Sequence, residues 1–153
     1  MAESGESDRR PTTTVDVSWE SGFRFTSSDS YGHTVTVDAP VNEGDDFDGF
    51  MPGELLLTSL AGCSGIDVVN ILTKQRQQVT GLEIRVKGTQ EPDPPWTWTE
   101  IELLYTVRGR SLSGSAVSRA IDLSENKYCS VGASLGGRTR ITSTYDIVEE
   151  PPA

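Results

Sequence analysis

Apolar and polar positions alternate with a period of two in three short segments between Val15 and Asp38. Alternation of this kind is typical of strands that bury one face. Turn dipeptides at Ser21-Gly22 and Tyr31-Gly32 separate the three alternating segments, so the pattern predicts a three-stranded antiparallel meander followed by an acidic loop over 42–49. The apolar positions of these segments are Val15, Val17, Trp19, Phe23, Phe25, Val35 and Val37.

A long apolar segment follows from Glu54 to Gln75, and Pro52 suits the first turn of a helix. Its apolar residues lie on more than one side of a helical projection, and a helix that is apolar nearly all round is expected to be buried. A single sheet of so small a domain covers only one side. We therefore expect a second copy of the chain on the other side, in an obligate homodimer.

Two further strands, a second helix and a last strand complete the pattern. Leu82, Ile84 and Val86 alternate with charged residues, and the odd-numbered side is apolar from Trp96 to Val107. Ser113 is the predicted N-cap of the second helix, and the final strand contains Ile141, Tyr145 and Ile147. This order predicts an α+β fold. We expect a disordered tail at 1–13, one domain over 14–148 and a C-terminal tail at 149–153.

The charge balance narrows the classes of partner. The net charge is −10 and the pI is near 4.5, which disfavours nucleic acid and acidic ligands. The few lysines among many acidic residues fit either a high-salt cytoplasm or an ordinary acidic protein, and both alternatives stay open. Residues 1–14 lack the apolar core of a signal segment, and polar residues interrupt the stretch 55–72. We expect a cytoplasmic protein without a membrane segment.

Two cysteines are the main carriers of candidate chemistry. Cys63 lies in the predicted buried helix beside Gly62 and Gly65, and a helical glycine costs about 1 kcal/mol relative to alanine. The glycines indicate close approach of another element or a substrate, whereas the alternative reading is a small buried hydrophobic residue. Cys129 follows Lys127, whose charge could lower a thiol pKa, or it belongs to the core. Sequence spacing alone does not bring the two sulfurs together.

The small numbers of cysteine and histidine residues argue against a disulfide scaffold and against a metal site. Two cysteines cannot form a disulfide scaffold or a four-thiolate zinc site. His33 is the only histidine, and no short spacing of Cys and His ligands occurs. No metal and no cofactor are therefore expected.

Two motifs together resemble the OsmC/Ohr family of osmotically inducible and organic hydroperoxide resistance proteins, and its OsmC-like branch in particular. They are PGELLLTSLAGCSGIDVV at 52–69 and AIDLSENKYCSV at 120–131, and the resemblance covers about residues 14–148. It implies an intertwined homodimer in which antiparallel strands wrap around two central helices. It also implies a thiol peroxidase for organic hydroperoxides, with Cys63 as the peroxidatic and Cys129 as the resolving cysteine, regenerated by a dithiol.

The resemblance is incomplete around the first cysteine. Peroxidases of the family have a Glu ten positions before it, paired with an Arg from the N-terminal strands, and this chain has Gly53 there. Glu54 is one position off, and nine helical residues place it on the side opposite Cys63. Arg24 is the best candidate for the arginine, with His33 as a rival.

Asp67 is expected on the same helical face as Cys63, four residues on. Its carboxylate would raise the pKa of the thiol unless it is paired, for example with Lys127, and a purely structural bond from Asp67 to a backbone group is an equal alternative. Two other classes of function remain beside the peroxidase. One is a thiol redox sensor or binding protein without efficient turnover, and the other is a structural dimer with inert cysteines.

Overall fold

The computed structural model describes residues 11–153, which form two compact units that divide between Pro52 and Gly53. Each unit contains its own three-stranded sheet. Residues 1–10 of the expected N-terminal tail lie outside the described residues. The expectation of one domain over 14–148 stays a prediction.

The first unit is the predicted antiparallel meander, with the strand order β1-β2-β3. Its turns contain Gly22 and Gly32, both with positive φ, a conformation that glycine adopts without steric cost. Phe23 lies in the first turn, so its assignment to a strand was wrong. The strands are β1 (Asp16–Ser21), β2 (Arg24–Ser28) and β3 (Thr34–Val37).

The second unit is a mixed helix and sheet layer, which confirms the α+β class. Its long helix is α1 (Pro52–Lys74), and its strands are β4 (Gln78–Gln90), β5 (Trp98–Arg110) and β6 (Arg140–Glu149). Between β5 and β6 lie α2 (Gly114–Leu123), a π-helical turn (Ser124–Tyr128) and α3 (Ser130–Leu135). Because β6 extends to Glu149, the expected C-terminal tail begins one residue later than predicted.

The sheet of the second unit has the order β4-β5-β6, with β4 antiparallel and β6 parallel to β5. The parallel pair corrects the expectation of antiparallel strands. A parallel neighbour needs a crossover connection, and α2, the π-helical turn and α3 supply it. Trp96 lies before β5 with φ 52° and an exposed side chain, so it does not belong to the apolar face of that strand as predicted.

The core of the second unit lies between α1, α2 and the inner face of β5. Ser113 caps α2 as predicted, with its hydroxyl accepting a hydrogen bond from the Ala116 backbone N–H. The odd-numbered residues of β5 are buried from Ile101 onward, as the alternation predicted. The buried apolar residues are Leu60, Val68, Leu72, Ile101, Leu103, Tyr105, Val107, Val117, Ala120, Ile121 and Cys129.

Helix α1 has one buried side and one open side. Its buried stripe recurs every fourth residue, at Leu60, Ser64, Val68 and Leu72. Ile66 is 73% exposed on the other side, beside the exposed Val69. The expectation of burial all round therefore fails within one chain, because the sheet of this unit covers a single side of the helix.

By length and composition alone, α1 is also the one helix among residues 11–153 that could cross a membrane. Its buried stripe instead packs in the core of the second unit. The expected homodimer stays a prediction.

Candidate active site

The two cysteines meet at the junction of α1 and the crossover connection. Cys63 lies in the middle of α1 and is partly exposed, whereas Cys129 follows the π-helical turn and is 3% exposed. Both are free thiols, Cys63 packs against the buried cluster that contains Cys129, and each thiol influences the pKa of the other. The structure thus brings together two residues that the sequence could not place in contact.

The local backbone explains where Cys129 points. Its N–H donates to the Ser124 carbonyl at 2.8 Å, which closes the wide i to i+5 turn, and its Sγ then accepts the Gly132 N–H at 3.3 Å as the N-cap of α3. Single π-helical turns are frequent at functional sites. Here the turn places the Cys129 sulfur beside α1.

The pKa of Cys63 lies below its ordinary value although burial, the largest single influence, raises it. Hydrogen bonds from the Cys129 thiol, the Val131 N–H and the Ser130 hydroxyl outweigh burial, because each stabilises the thiolate. The Asp67 carboxylate acts in the opposite direction. The arrangement favours a nucleophilic sulfur at Cys63.

The pKa of Cys129 moves the other way, to about 11. Burial is the main cause, and the hydrogen bond that its thiol donates to Cys63 is the next. The two shifts are consistent, since a thiol that stabilises a neighbouring thiolate gives up its own proton less readily. The prediction that Lys127 lowers this pKa was wrong, because the Lys127 amine instead lies 5.3 Å from the centre of the Tyr128 ring.

A chain of buried hydroxyl groups lies directly beneath the thiols. The Tyr105 hydroxyl is 2.6 Å from Ser64 Oγ, which is 3.0 Å from Ser124 Oγ, and Ser124 donates to the Asp67 carboxylate at 2.9 Å. Asp67 is therefore held by a hydroxyl rather than by the suggested Lys127. Burial raises the pKa of Tyr105, which keeps its phenol protonated.

Beside this chain and behind Cys129 lies a small cavity of about 60 Å³. Glu125 lines it together with Tyr105 and Ser64. The Glu125 carboxylate accepts a hydrogen bond from Ser143.

The remaining predicted residues have partners of their own. Arg24, in the first unit, donates to Glu20 at 2.8 Å and to the Asp48 carboxylate at 3.1 Å, and these bonds raise the pKa of its guanidinium. His33 is exposed and lies 2.8 Å from Asp29. Glu54 is exposed in the first turn of α1, and the uninterrupted helix keeps it on the side opposite Cys63, as predicted.

Gly53 has a packing reason to be glycine. A Cβ at this position would lie 3.1 Å from the Trp98 ring, closer than ordinary packing allows. The indole of β5 therefore covers the position where family peroxidases have a glutamate. The donors that lower the pKa of Cys63 instead include two from the second motif, Ser130 and the Val131 N–H, which were not predicted from the sequence.

Serine residues next to the cysteines were the available signal for the missed part of the site. Ser64 follows Cys63, and Ser130 follows Cys129. Their hydroxyls matter only through the tertiary contact between the motifs. Among residues 11–153, no group of three or more His, Cys, Asp or Glu side chains could hold a metal ion. The absence of a metal and of a cofactor stays a prediction.

The family model of OsmC-like proteins matches residues 43–144. Protein YhfA of Escherichia coli is 39% identical over 132 residues, which are 86% of this chain and 96% of that protein. A hypothetical protein from Aquifex aeolicus is 32% identical in its crystal structure, with a TM-score of 0.83 over 93% of this chain and all of the other. The chain belongs to the OsmC-like protein family.

The fold extends to more distant proteins. An organic hydroperoxide resistance protein from Legionella pneumophila is 11% identical, with a TM-score of 0.65 over 91% of this chain and 99% of the other. At this identity the likeness shows a shared fold alone.

Proposed function

We propose that the protein is a thiol-dependent peroxidase that reduces organic hydroperoxides with Cys63 and Cys129. One observation carries the proposal. A partly exposed sulfur with a lowered pKa lies beside a buried thiol whose pKa is raised to about 11. Such a pair supplies a nucleophile and, within reach, the group that resolves its oxidised form.

The chemistry takes place in three steps. The Cys63 thiolate attacks the distal oxygen of the hydroperoxide, the O–O bond breaks, and the alkoxide takes a proton from water to leave as an alcohol. The Cys129 sulfur then attacks the Cys63 sulfenic acid, which forms the disulfide, and its proton leaves with the hydroxyl group as water. A dithiol finally reduces the disulfide and is itself oxidised to a cyclic disulfide.

The pKa values of the two sulfurs and their different exposure support these roles. Peroxide must reach the nucleophile from solvent, and Cys63 is the more exposed of the two. A buried sulfur with a pKa near 11 is a poor first nucleophile at neutral pH, which suits Cys129 to resolution. Apolar residues of α1 on either side of Cys63 in the helix favour an alkyl hydroperoxide over hydrogen peroxide.

The proposal includes a homodimer and a cytoplasmic location. The open side of α1 forms an apolar groove with Leu82 and Ile84 of β4, lined further by Gly62, Gly65 and Val69. Large exposed apolar surfaces of this kind mark interaction sites, and a second copy of α1 would cover it. Arg24 is bonded to Glu20 and Asp48 within the first unit, so we assign the support of the thiolate to the second motif.

Intact-mass spectrometry after one equivalent of an alkyl hydroperoxide tests the proposal. The wild-type protein should lose two hydrogens, the Cys129→Ser variant should gain one oxygen, and the Cys63→Ser variant should stay unchanged. A Cys63→Ser variant that gains oxygen at Cys129 as fast as the wild type reacts would reverse the roles. No reaction at either cysteine would refute the peroxidase.

A second function is a thiol redox sensor with slow turnover. Gly53 beneath Trp98 favours it, because the carboxylate that aligns the peroxide in the family peroxidases is absent at this position. Both functions require oxidation of Cys63. Sustained consumption of hydroperoxide with excess dithiol identifies the peroxidase, whereas a single stoichiometric oxidation identifies the sensor.

A further inference from the structure

The buried hydroxyl chain connects α1 to the crossover connection through the side chain of Ser124. Ser124 is fully buried and is the first residue of the π-helical turn that directly precedes Cys129. Its hydroxyl donates to Asp67 at 2.9 Å and lies 3.0 Å from Ser64 Oγ, so it binds two residues of α1 that lie one and four positions after Cys63. Its own carbonyl accepts the Cys129 N–H at 2.8 Å.

We propose that Ser124 is the positioning residue of the thiol pair. It fixes the π-helical turn to α1 and so holds the Cys129 sulfur against Cys63. The proposal rests on the proposed function and adds a residue that touches neither peroxide nor reductant. It predicts that loss of the Ser124 hydroxyl slows disulfide formation more than it slows the first oxidation of Cys63.

The geometry separates this role from simple core packing. Tyr105 is also fully buried and bonds to the same Ser64 oxygen, at 2.6 Å, but from β5. It does not belong to the turn. Removal of the Tyr105 hydroxyl therefore leaves the bond from Ser124 to Asp67 intact, and Tyr105→Phe is the matched control for the loss of one buried hydroxyl.

Rapid mixing with one equivalent of an alkyl hydroperoxide, followed by acid quench and intact-mass analysis, measures the two steps. In Ser124→Ala, disulfide formation should slow by about tenfold to a hundredfold, because misplacing reacting groups by about 1 Å costs on the order of a hundredfold in rate. The sulfenic acid should accumulate. Ser124→Thr, which retains the hydroxyl, should restore the disulfide rate to within about threefold, and Tyr105→Phe should leave it within about twofold of the wild type.

A measurement without peroxide tests the positioning role of Ser124 independently of the proposed peroxidase activity. Equilibration with reduced and oxidised dithiothreitol gives the stability of the Cys63–Cys129 disulfide, which reflects how closely the fold holds the two sulfurs. Ser124→Ala should weaken that disulfide about tenfold relative to the wild type, whether or not the protein reduces peroxides. If the wild-type protein forms this disulfide but does not react with peroxide, the proposed peroxidase function is refuted and the positioning role of Ser124 is not.

Two results would overturn the positioning role. One is a Ser124→Ala variant with wild-type rates and wild-type disulfide stability, and the other is a Tyr105→Phe variant that is impaired as much as Ser124→Ala. If Ser124→Ala does not fold, Ser64→Ala tests the other bond of Ser124 to α1 without changing a charge beside Cys63. It should weaken the disulfide in the same direction, and an unchanged disulfide in that variant would count against the proposal.

Discussion

Ile66 provides the most direct test of the proposed homodimer. It lies on the open side of α1, three residues after Cys63, and 73% of its surface is exposed in a single chain. If a second copy covers this surface, Ile66→Ala should weaken association with little effect on the fold of one chain. Leu72 of the same helix serves as the control, because its side chain is buried in the core of a single chain and its loss should affect folding rather than association.

The expected loss of association free energy follows from the number of carbon atoms that Ile66→Ala removes. Ile66→Ala deletes three carbons, worth about 0.8 kcal/mol each when fully buried. Since 73% of the side chain is available for new burial, the loss is about 1.8 kcal/mol per protomer, or about 3.5 kcal/mol for the two copies in a dimer. At 1.4 kcal/mol per tenfold change, the dissociation constant should rise about 300-fold.

Sedimentation equilibrium over a dilution series measures this change. Leu72→Ala should leave the dissociation constant within about threefold of the wild type while it lowers the free energy of unfolding by about 2–5 kcal/mol. A folded wild-type monomer near 16.6 kDa at all concentrations would refute the dimer. An Ile66→Ala variant that dimerises as tightly as the wild type would instead place the interface elsewhere.

Three further outcomes are expected. Asp67→Asn should lower the pKa of Cys63, because the carboxylate raises it. The pH profile of Cys63 labelling by a thiol probe should therefore shift to lower pH, and a shift to higher pH would contradict this. Gly53→Glu should cost about 1–3 kcal/mol of stability in chemical denaturation, because Trp98 must move away, and an unchanged midpoint would show that the indole yields freely. With a net charge of −10, the denaturation midpoint should rise from dilute buffer to molar salt if the surface is adapted to salt, and a flat response would favour the ordinary acidic protein.

Local patterns predicted most of the elements of this fold. The alternation in β5, the proline at the start of α1 and the cap at Ser113 each depend on residues a few positions apart, and each was confirmed. The parallel pairing of β5 with β6 was not predictable in this way. Strand direction depends on how the crossover connection folds back, and the π-helical turn and α3 within it carry no apolar period of their own.

The site was predicted as two cysteines without their surroundings. The motifs indicated Cys63 and Cys129, but the donors to the thiolate and the buried hydroxyl chain come from residues that meet only in the tertiary structure. Asp67 shows the limit clearly. Its helical spacing placed it on the face of Cys63, yet its partner Ser124 lies 57 positions away and could not be chosen over Lys127 from the sequence.

The lowered pKa of Cys63 has a consequence for the reduction potential of the pair. The donors that stabilise its thiolate act only while Cys63 is reduced, because the sulfur of a disulfide carries no negative charge. They therefore stabilise the reduced form relative to the disulfide and make the reduction potential less negative. The oxidised protein should accept electrons readily from a strong dithiol reductant, so the resting form in a reducing compartment is the one with its nucleophile ready.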